Sequence, residues 1–254
     1  MGAVLSARDL LLDYRAADGG VLSALGPLSF QVASGLFVCL LGPSGGGKST
    51  LIRILAGLLP PTAGQVYLNE IRIAKPSNRV GLMFQDANLM PWRTVIDNIA
   101  LSLELAGVDK KSRLQKAVSL LPALGLGAEF AHAYPAELSG GMAQRVALGR
   151  VLIQRPDVLL LDEPFGALDA FTREQISLDL MQMWSNLRPT VVMVTHNIDE
   201  AILLADRVLI LSARPGRIIA DIPITLPRPR RIEDSYRAEF GQLAAQIRRA
   251  LQTP

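Results

Sequence analysis

One run, Gly42-Pro43-Ser44-Gly45-Gly46-Gly47-Lys48-Ser49-Thr50, combines backbone freedom, a cation and hydroxyls in a single loop. Glycines let a chain turn tightly, so that successive N–H groups and a helix N-terminus converge on a polyanion. Lys48 adds a mobile positive charge for outer phosphates, and Ser49, the first hydroxyl after it, is placed to ligate the Mg²⁺ that accompanies a nucleoside triphosphate. A plain glycine-rich turn is the alternative, and it does not call for a lysine and a hydroxyl at these positions. Four further stretches carry chemistry. Val158-Leu159-Leu160-Leu161-Asp162-Glu163 ends an apolar run in two carboxylates: the first can hold Mg²⁺ through water and the second can polarise an attacking water, although two acids there could also cap a turn. Gln85 and His196 each follow an apolar run, Val80 to Phe84 and Thr190 to Thr195, where a polar group can orient water, touch the metal or reach a phosphate. Leu138-Ser139-Gly140-Gly141-Met142 opens a helical run and reads either as a second anion-binding helix end or as an ordinary cap.

The elements that must position these groups follow from periodicity. Leu36 to Leu41 is a short buried-strand run and Leu51 to Ala56 continues at helical spacing, so the glycine loop joins a strand to a helix. Residues 4–14 and 28–33 alternate and read as an antiparallel hairpin, with a turn at Ala16-Ala17-Asp18-Gly19-Gly20. Tyr14 lies on its first strand and could stack on a nucleotide base, or be half-buried strand aromatic. Pro60-Pro61-Thr62-Ala63-Gly64 stops the chain before a strand from Gln65 to Leu68. From Asp86 to about Arg155 the texture becomes helical, with Thr94 to Ala106 and Asp109 to Leu124 periodic, which predicts an inserted helical subdomain over roughly 86–155. Trp92, beside Arg93, is an interface anchor or a core residue, and His132 is expected at the surface. Asp169 stands near the start of another helix, and Tyr236 to Leu251 closes the chain helically. The fold class is α/β: a nucleotide-binding core with an antiparallel β-subdomain and an inserted helical subdomain.

The 254 residues suffice for one sizeable core and half of them are hydrophobic, which marks a globular chain. No apolar run reaches the ~18 residues of a bilayer span, since Ala201 to Ala213 carries Asp206 and Arg207, and Met1 to Leu12 has no signal-peptide pattern. A cytosolic product is expected. Cys39, the only cysteine, sits in the apolar run before the glycine loop and is expected to be buried. The net charge of +3 is too small to point to nucleic acid, and no nucleic-acid partner is expected. From Arg207 onward nine arginines face four acids, a solvated surface or a contact for anionic lipid headgroups.

In their order these stretches resemble the ATP-binding cassette family, the ATPase subunits of ABC transporters, over nearly the whole chain. Gly42 to Thr50 is similar to Walker A, Gln85 to the Q-loop, Leu138 to Met142 to the signature, Val158 to Glu163 to Walker B, Ala167-Leu168-Asp169 to the D-loop and His196 to the H-loop. The signature commonly ends in Gln where this chain has Met142. Met142, Leu89-Met90-Pro91-Trp92 and Arg214-Pro215-Gly216-Arg217 resemble the nitrate, sulfonate and taurine importer branch.

The resemblance implies a single cassette, 1–254, with a basic C-terminal extension over about 214–254, that closes head to tail with a second copy of itself on two ATP molecules. Each nucleotide is then held by the Walker A of one copy and the signature, with Ser139, Gly140 and Gly141, of the other, and Asp169 is counted with the nucleotide-binding residues. Tyr14 becomes an adenine-stacking aromatic, Glu163 and His196 carry catalysis with Gln85, and Lys48, Ser49, Gln85 and Asp162 handle phosphate and metal. It implies also a separate transmembrane permease contacting residues 86–100, an indirect solute-binding-protein partner, a position on the cytoplasmic face of the plasma membrane, and no added regulatory domain. A soluble cassette acting on ribosomes or DNA is the alternative; it would usually bring tandem cassettes or a long coiled coil. A P-loop kinase or GTPase would not call for Ser139-Gly140-Gly141, Gln85 or His196.

Overall fold

The computed structural model describes residues 2–15, 19–166 and 168–252; three of the residues of the expected turn, Ala16 to Asp18, and Ala167 of the D-loop stretch lie outside them. Two sheets organise the chain. The first is antiparallel, from β1 (Leu5–Arg15), β2 (Val21–Val32), β4 (Ala63–Leu68) and β5 (Ile71–Ile73), in the order β2-β1-β4-β5. The second, from β3 (Phe37–Leu41), β6 (Val80–Met83), β7 (Val158–Asp162), β8 (Thr190–Val194), β9 (Arg207–Leu211) and β10 (Ile218–Pro223), runs β10-β9-β3-β8-β7-β6. All its pairings are parallel except β10 with β9.

The four inner strands of the second sheet read as uninterrupted apolar runs because both faces are covered. Phe37, Cys39 and Leu41, with Leu159, Leu161, Val191, Met193, Val208 and Ile210, turn to one core. Val38 and Leu40, with Leu160, Val192, Val194, Leu209 and Leu211, turn to the other, which they share with the antiparallel sheet and α1 (Lys48–Leu55). Cys39 is fully buried, and burial pushes its thiol well above the usual range.

Between β6 and β7 the chain forms α2 (Val95–Leu105), α3 (Lys110–Leu120), three single-turn 3₁₀ segments over 122–124, 128–130 and 135–137, and α4 (Gly140–Leu152). After β7 come α5 (Ala170–Leu187), α6 (Ile198–Leu204) between β8 and β9, and α7 (Ala238–Gln252). Their starts follow side-chain chemistry: Thr94, Asp109, Ser139, Asp169 and Asn197 each accept a hydrogen bond from a first-turn N–H of α2 to α6.

The second strand of the hairpin is longer than the alternation predicts, beginning at Val21 rather than 28. The strand runs through Gly26-Pro27 because β2 is an edge strand, where a proline is tolerated, and the register shift between Leu10/Leu28 and Leu12/Leu25 absorbs it. The apolar run 201–213 splits into the end of α6 and β9, and no helix among the described residues is long and apolar enough to cross a membrane. The basic close of the chain is partly structural. Arg207 pairs with Asp221 at 2.5 Å, Arg228 with Asp206 at 2.8 Å and Arg237 with Asp234 at 3.0 Å. Arg230 is buried, donating to the carbonyls of Ile202, Leu203, Ala205, Ile224 and Leu226. Three of those carbonyls belong to the last turn of α6 or the residue after it, where a cation offsets the helix dipole and the free acceptors.

Candidate nucleotide site

The glycine loop follows β3, and β7 and β8 end beside it, so three neighbouring strands of the parallel sheet deliver their side chains to one edge. Gly47 is the N-cap of α1 and no side chain caps that helix, unlike α2 to α6, which leaves its first N–H groups for an anion. Gly45 and Gly47 adopt φ of 78° and 86°, the left-handed region that favours glycine. A Cβ on Gly47 would sit 2.5 Å from Leu25 Cδ2 and 2.9 Å from the Ala24 carbonyl, whereas one on Gly45 meets nothing within 4 Å among the described residues. The loop is therefore pressed onto β2 on one side and open on the other.

Lys48 is 7 % exposed and folds back to donate to the carbonyls of Gly42 and Pro43 at 2.8 and 2.9 Å. Burial lowers its pKa, while Glu163 and Asp162 oppose that shift. The Ser49 hydroxyl donates to Asp162 Oδ1 at 2.9 Å. Asp162 closes β7, also 7 % exposed, and burial raises its pKa against the Ser49 hydrogen bond. Glu163 follows with φ of 47°, an unusual conformation for a glutamate, while its N–H is held by the Val194 carbonyl at 3.0 Å. Its Oε2 lies 3.3 Å from His196 Nδ1. Lys48, Ser49, Asp162, Glu163 and His196 thus form one linked group.

Gln85 is exposed, and its side-chain amide lies beside Gly166, the turn that follows Glu163. Tyr14 is 42 % exposed and pairs with Leu22, two residues along β2 from the Ala24 carbonyl that bounds Gly47. Ser139 and Gly140 are exposed, but Ser139 accepts from Met142 N–H at 3.3 Å as an ordinary helix cap. That end of α4 lies against Leu168 and Thr172 rather than on the glycine loop. Asp169 likewise spends a carboxylate oxygen on the Thr172 N–H at 3.0 Å. Trp92 is 71 % exposed and His132 exposed.

Two features were not read from the sequence. Glu200 of α6 is buried under His196, accepting hydrogen bonds from the Thr195 and Ser177 hydroxyls, while Thr195 Oγ1 accepts from the Asn197 N–H. Burial raises its pKa. Gly216 packs on the carbonyl of Gly46 and exchanges hydrogen bonds with Ala24 and Gly26, so the 214–217 stretch backs the glycine loop. A buried acid in a short helix and a tight turn leave no periodic signal.

Residues 25–166 match the family model for the ABC transporter, which is more than half of the chain. The chain belongs to the ABC transporter family. ABC cassettes bind and hydrolyse ATP, and this chain is an ATPase of that family. It is 45 % identical over 217 residues to an aliphatic sulfonates import ATP-binding protein of Bacillus cereus, covering 85 % of each chain. It is 42 % identical over 245 residues to a taurine import ATP-binding protein of Rhizobium johnstonii, covering 94 % of this chain and 92 % of the relative. Among solved structures it is similar to a dimeric bacterial ABC transporter cassette, with a TM-score of 0.77 and 31 % identity, covering 88 % of this chain and all of that one. The same cassette in a post-hydrolysis dimer bound to ADP and Pi gives 0.76. The P-loop nucleotide-binding fold expected from the sequence is the fold of the chain.

Proposed function

We propose that the chain is the ATP-hydrolysing subunit of an importer for small solutes of the sulfonate type, working as a pair of copies on a membrane permease at the cytoplasmic face of the plasma membrane. The observation that carries the reading is the linked group Ser49–Asp162 and Glu163–His196 at the strand edge, beside an uncapped helix N-terminus. The import activities named for two relatives support the transport role and the solute class.

The site suits its ligands. Loop N–H groups and Lys48 bind the phosphates, Lys48 exchanging its two carbonyl partners for phosphate oxygens. Ser49 and Asp162 present two oxygen donors of the kind a hard cation such as Mg²⁺ takes, and would hold it there. ATP with Mg²⁺ supplies the transferable phosphoryl group and the charge that neutralises it. Glu163 would orient the hydrolytic water and accept its proton, and His196, 3.3 Å away, would brace Glu163 and reach the γ-phosphate. Gln85 approaches the same turn from β6. Such catalysis is mostly positioning and charge stabilisation.

In this reading Ser139, Gly140, Gly141 and Asp169 serve the nucleotide of the second copy, which accords with the exposure of Ser139, Gly140 and Asp169 near the start of α5, while Gly141 is buried against Thr172. Dimeric cassettes among the similar structures support the pairing. Tyr14 stacks on adenine. We take 86–155 as the helical subdomain and 86–100, with exposed Trp92, as the permease contact. The test is ATP hydrolysis by the purified chain together with growth on taurine or an alkanesulfonate as sole sulfur source when the gene is deleted. Loss of hydrolysis in Glu163→Gln with retained ATP binding, and loss of growth restored by the wild-type gene, are expected. A chain that binds no ATP, or normal sulfonate uptake without the gene, overturns the respective part.

A further inference from the structure

Residues 84–94, which connect β6 to α2, contain neither helix nor strand, so their backbone polar groups need partners from elsewhere. Side chains of two helices provide them. From α4, Gln144 Nε2 donates to the Gln85 carbonyl at 2.7 Å, and the two ends of the Arg150 guanidinium donate to Ala87 and Asn88 carbonyls at 2.7 and 2.8 Å. From α2, Asn98, fully buried, accepts from the Met90 N–H and donates to the carbonyls of Met90, Arg93 and Thr94. Gln144 is 5 % exposed and its Oε1 has no hydrogen-bond partner among the described residues, so a buried amide makes a single bond there, to one carbonyl. Burial also lowers the pKa of Arg150, a guanidinium that meets two carbonyls and pairs with no acid among the described residues. Packing alone would be served by apolar side chains.

We propose that Gln144 and Arg150 are positioning residues for ATP hydrolysis, fixing the backbone that carries Gln85 to the helix whose N-terminus is Ser139-Gly140-Gly141. Gln144 lies one turn into that helix and Arg150 near its far end, so the two staples span α4. A displacement of residues 85–88 is then delivered to Ser139 and Gly140 as motion of one rigid piece, and Gln85 cannot approach Glu163 without α4. The proposal rests on the assignment of Gln85 and the signature end given above.

The test measures ATP hydrolysis and binding of a fluorescent ATP analogue by the full chain. Gln144→Met and Arg150→Met are each expected to lower kcat about tenfold while changing analogue affinity by less than about twofold, because neither touches the glycine loop. Since Gln144 acts through Gln85, Gln144→Met should cost nothing further in a Gln85→Ala background. Two variants guard against misfolding. Arg150→Lys keeps the charge but not the fork and should recover part of the rate. Gln144→Glu can donate to the carbonyl only when protonated, so its rate relative to wild type should rise as pH falls. Additive losses in the double variant, an unchanged kcat, or parallel loss of affinity and rate would overturn the proposal. A Gln85→Ala chain with the wild-type rate would overturn the Gln85 assignment and this proposal with it. Failure of the ATPase reading is distinct, since it would leave wild type without hydrolysis.

Discussion

Adding one methyl group to either of two loop glycines should separate packing from ligand access. At Gly47, with φ of 86°, alanine incurs the left-handed penalty of ~1–2 kcal/mol. Its Cβ would also lie 2.5 Å from Leu25 Cδ2 and 2.9 Å from the Ala24 carbonyl, and relieving such overlap against a backbone oxygen costs a further ~1–3 kcal/mol. Gly47→Ala should therefore lose ~2–5 kcal/mol, a Tm fall of roughly 4–20 °C at ~2–4 °C per kcal/mol. At Gly45 the φ of 78° carries the same penalty, but beyond its chain neighbours no atom of the described residues stands within 4 Å of the added methyl. Gly45→Ala should lose only ~1–2 kcal/mol, yet place its methyl on the open side of the loop and weaken ATP binding by more than its stability loss explains. Thermal and urea unfolding without nucleotide, followed by titration with a fluorescent ATP analogue, read both quantities. Equal stability losses in the two variants, or a larger one at Gly45, would refute the reasoning.

Three more outcomes are expected. Glu163→Gln should lower ATP hydrolysis roughly 10²- to 10⁴-fold, the range of a lost general base, while retaining ATP binding and showing an ATP-dependent dimer on gel filtration. Glu200 has a pKa raised by burial, so it favours the folded state fully below the ordinary glutamate range and that contribution is lost as pH rises through its raised value. The Tm of wild type measured across pH should therefore fall over that window relative to Glu200→Gln. Arg230→Met strands five backbone carbonyls around the end of α6 and should cost roughly 3–5 kcal/mol, read as a lower urea midpoint.

The glycine loop, the acid pair and the apolar strands were legible because each is dictated locally. A phosphate cradle needs glycine, lysine and hydroxyl in fixed order, and a strand covered on both faces has little room for polar residues. What escaped is what depends on distant neighbours. Ala201 to Ala213 reads as one apolar stretch because the buried second half of a short helix and a largely buried strand have the same composition. The strand start at Val21 escaped because the edge position that tolerates Gly26-Pro27 is a property of the sheet. Gln144, Arg150, Asn98, Glu200 and Arg230 look like solvent-facing helix or loop residues until the carbonyls and hydroxyls that they serve are brought in from other elements. One trace was present: Gln144 falls at helical spacing between buried Gly141 and Leu148, where a polar residue needs a partner. The sites themselves sort in the same way. Lys48, Ser49, Asp162, Glu163 and His196 gather into one group, whereas Ser139 and Asp169 are engaged as helix caps in the single chain.

The strand that launches the glycine loop sits in the middle of its sheet, and both of its neighbours are encoded far downstream: β8 ends at Val194 and β9 at Leu211. During synthesis the loop emerges from the ribosome with neither flank available to align it. The residues proposed to bind phosphate are made first and given their shape last, because non-local pairing must wait for the later segment. A nascent chain arrested before residue 211 should therefore ignore ATP, and nucleotide should protect only chains that have cleared that point.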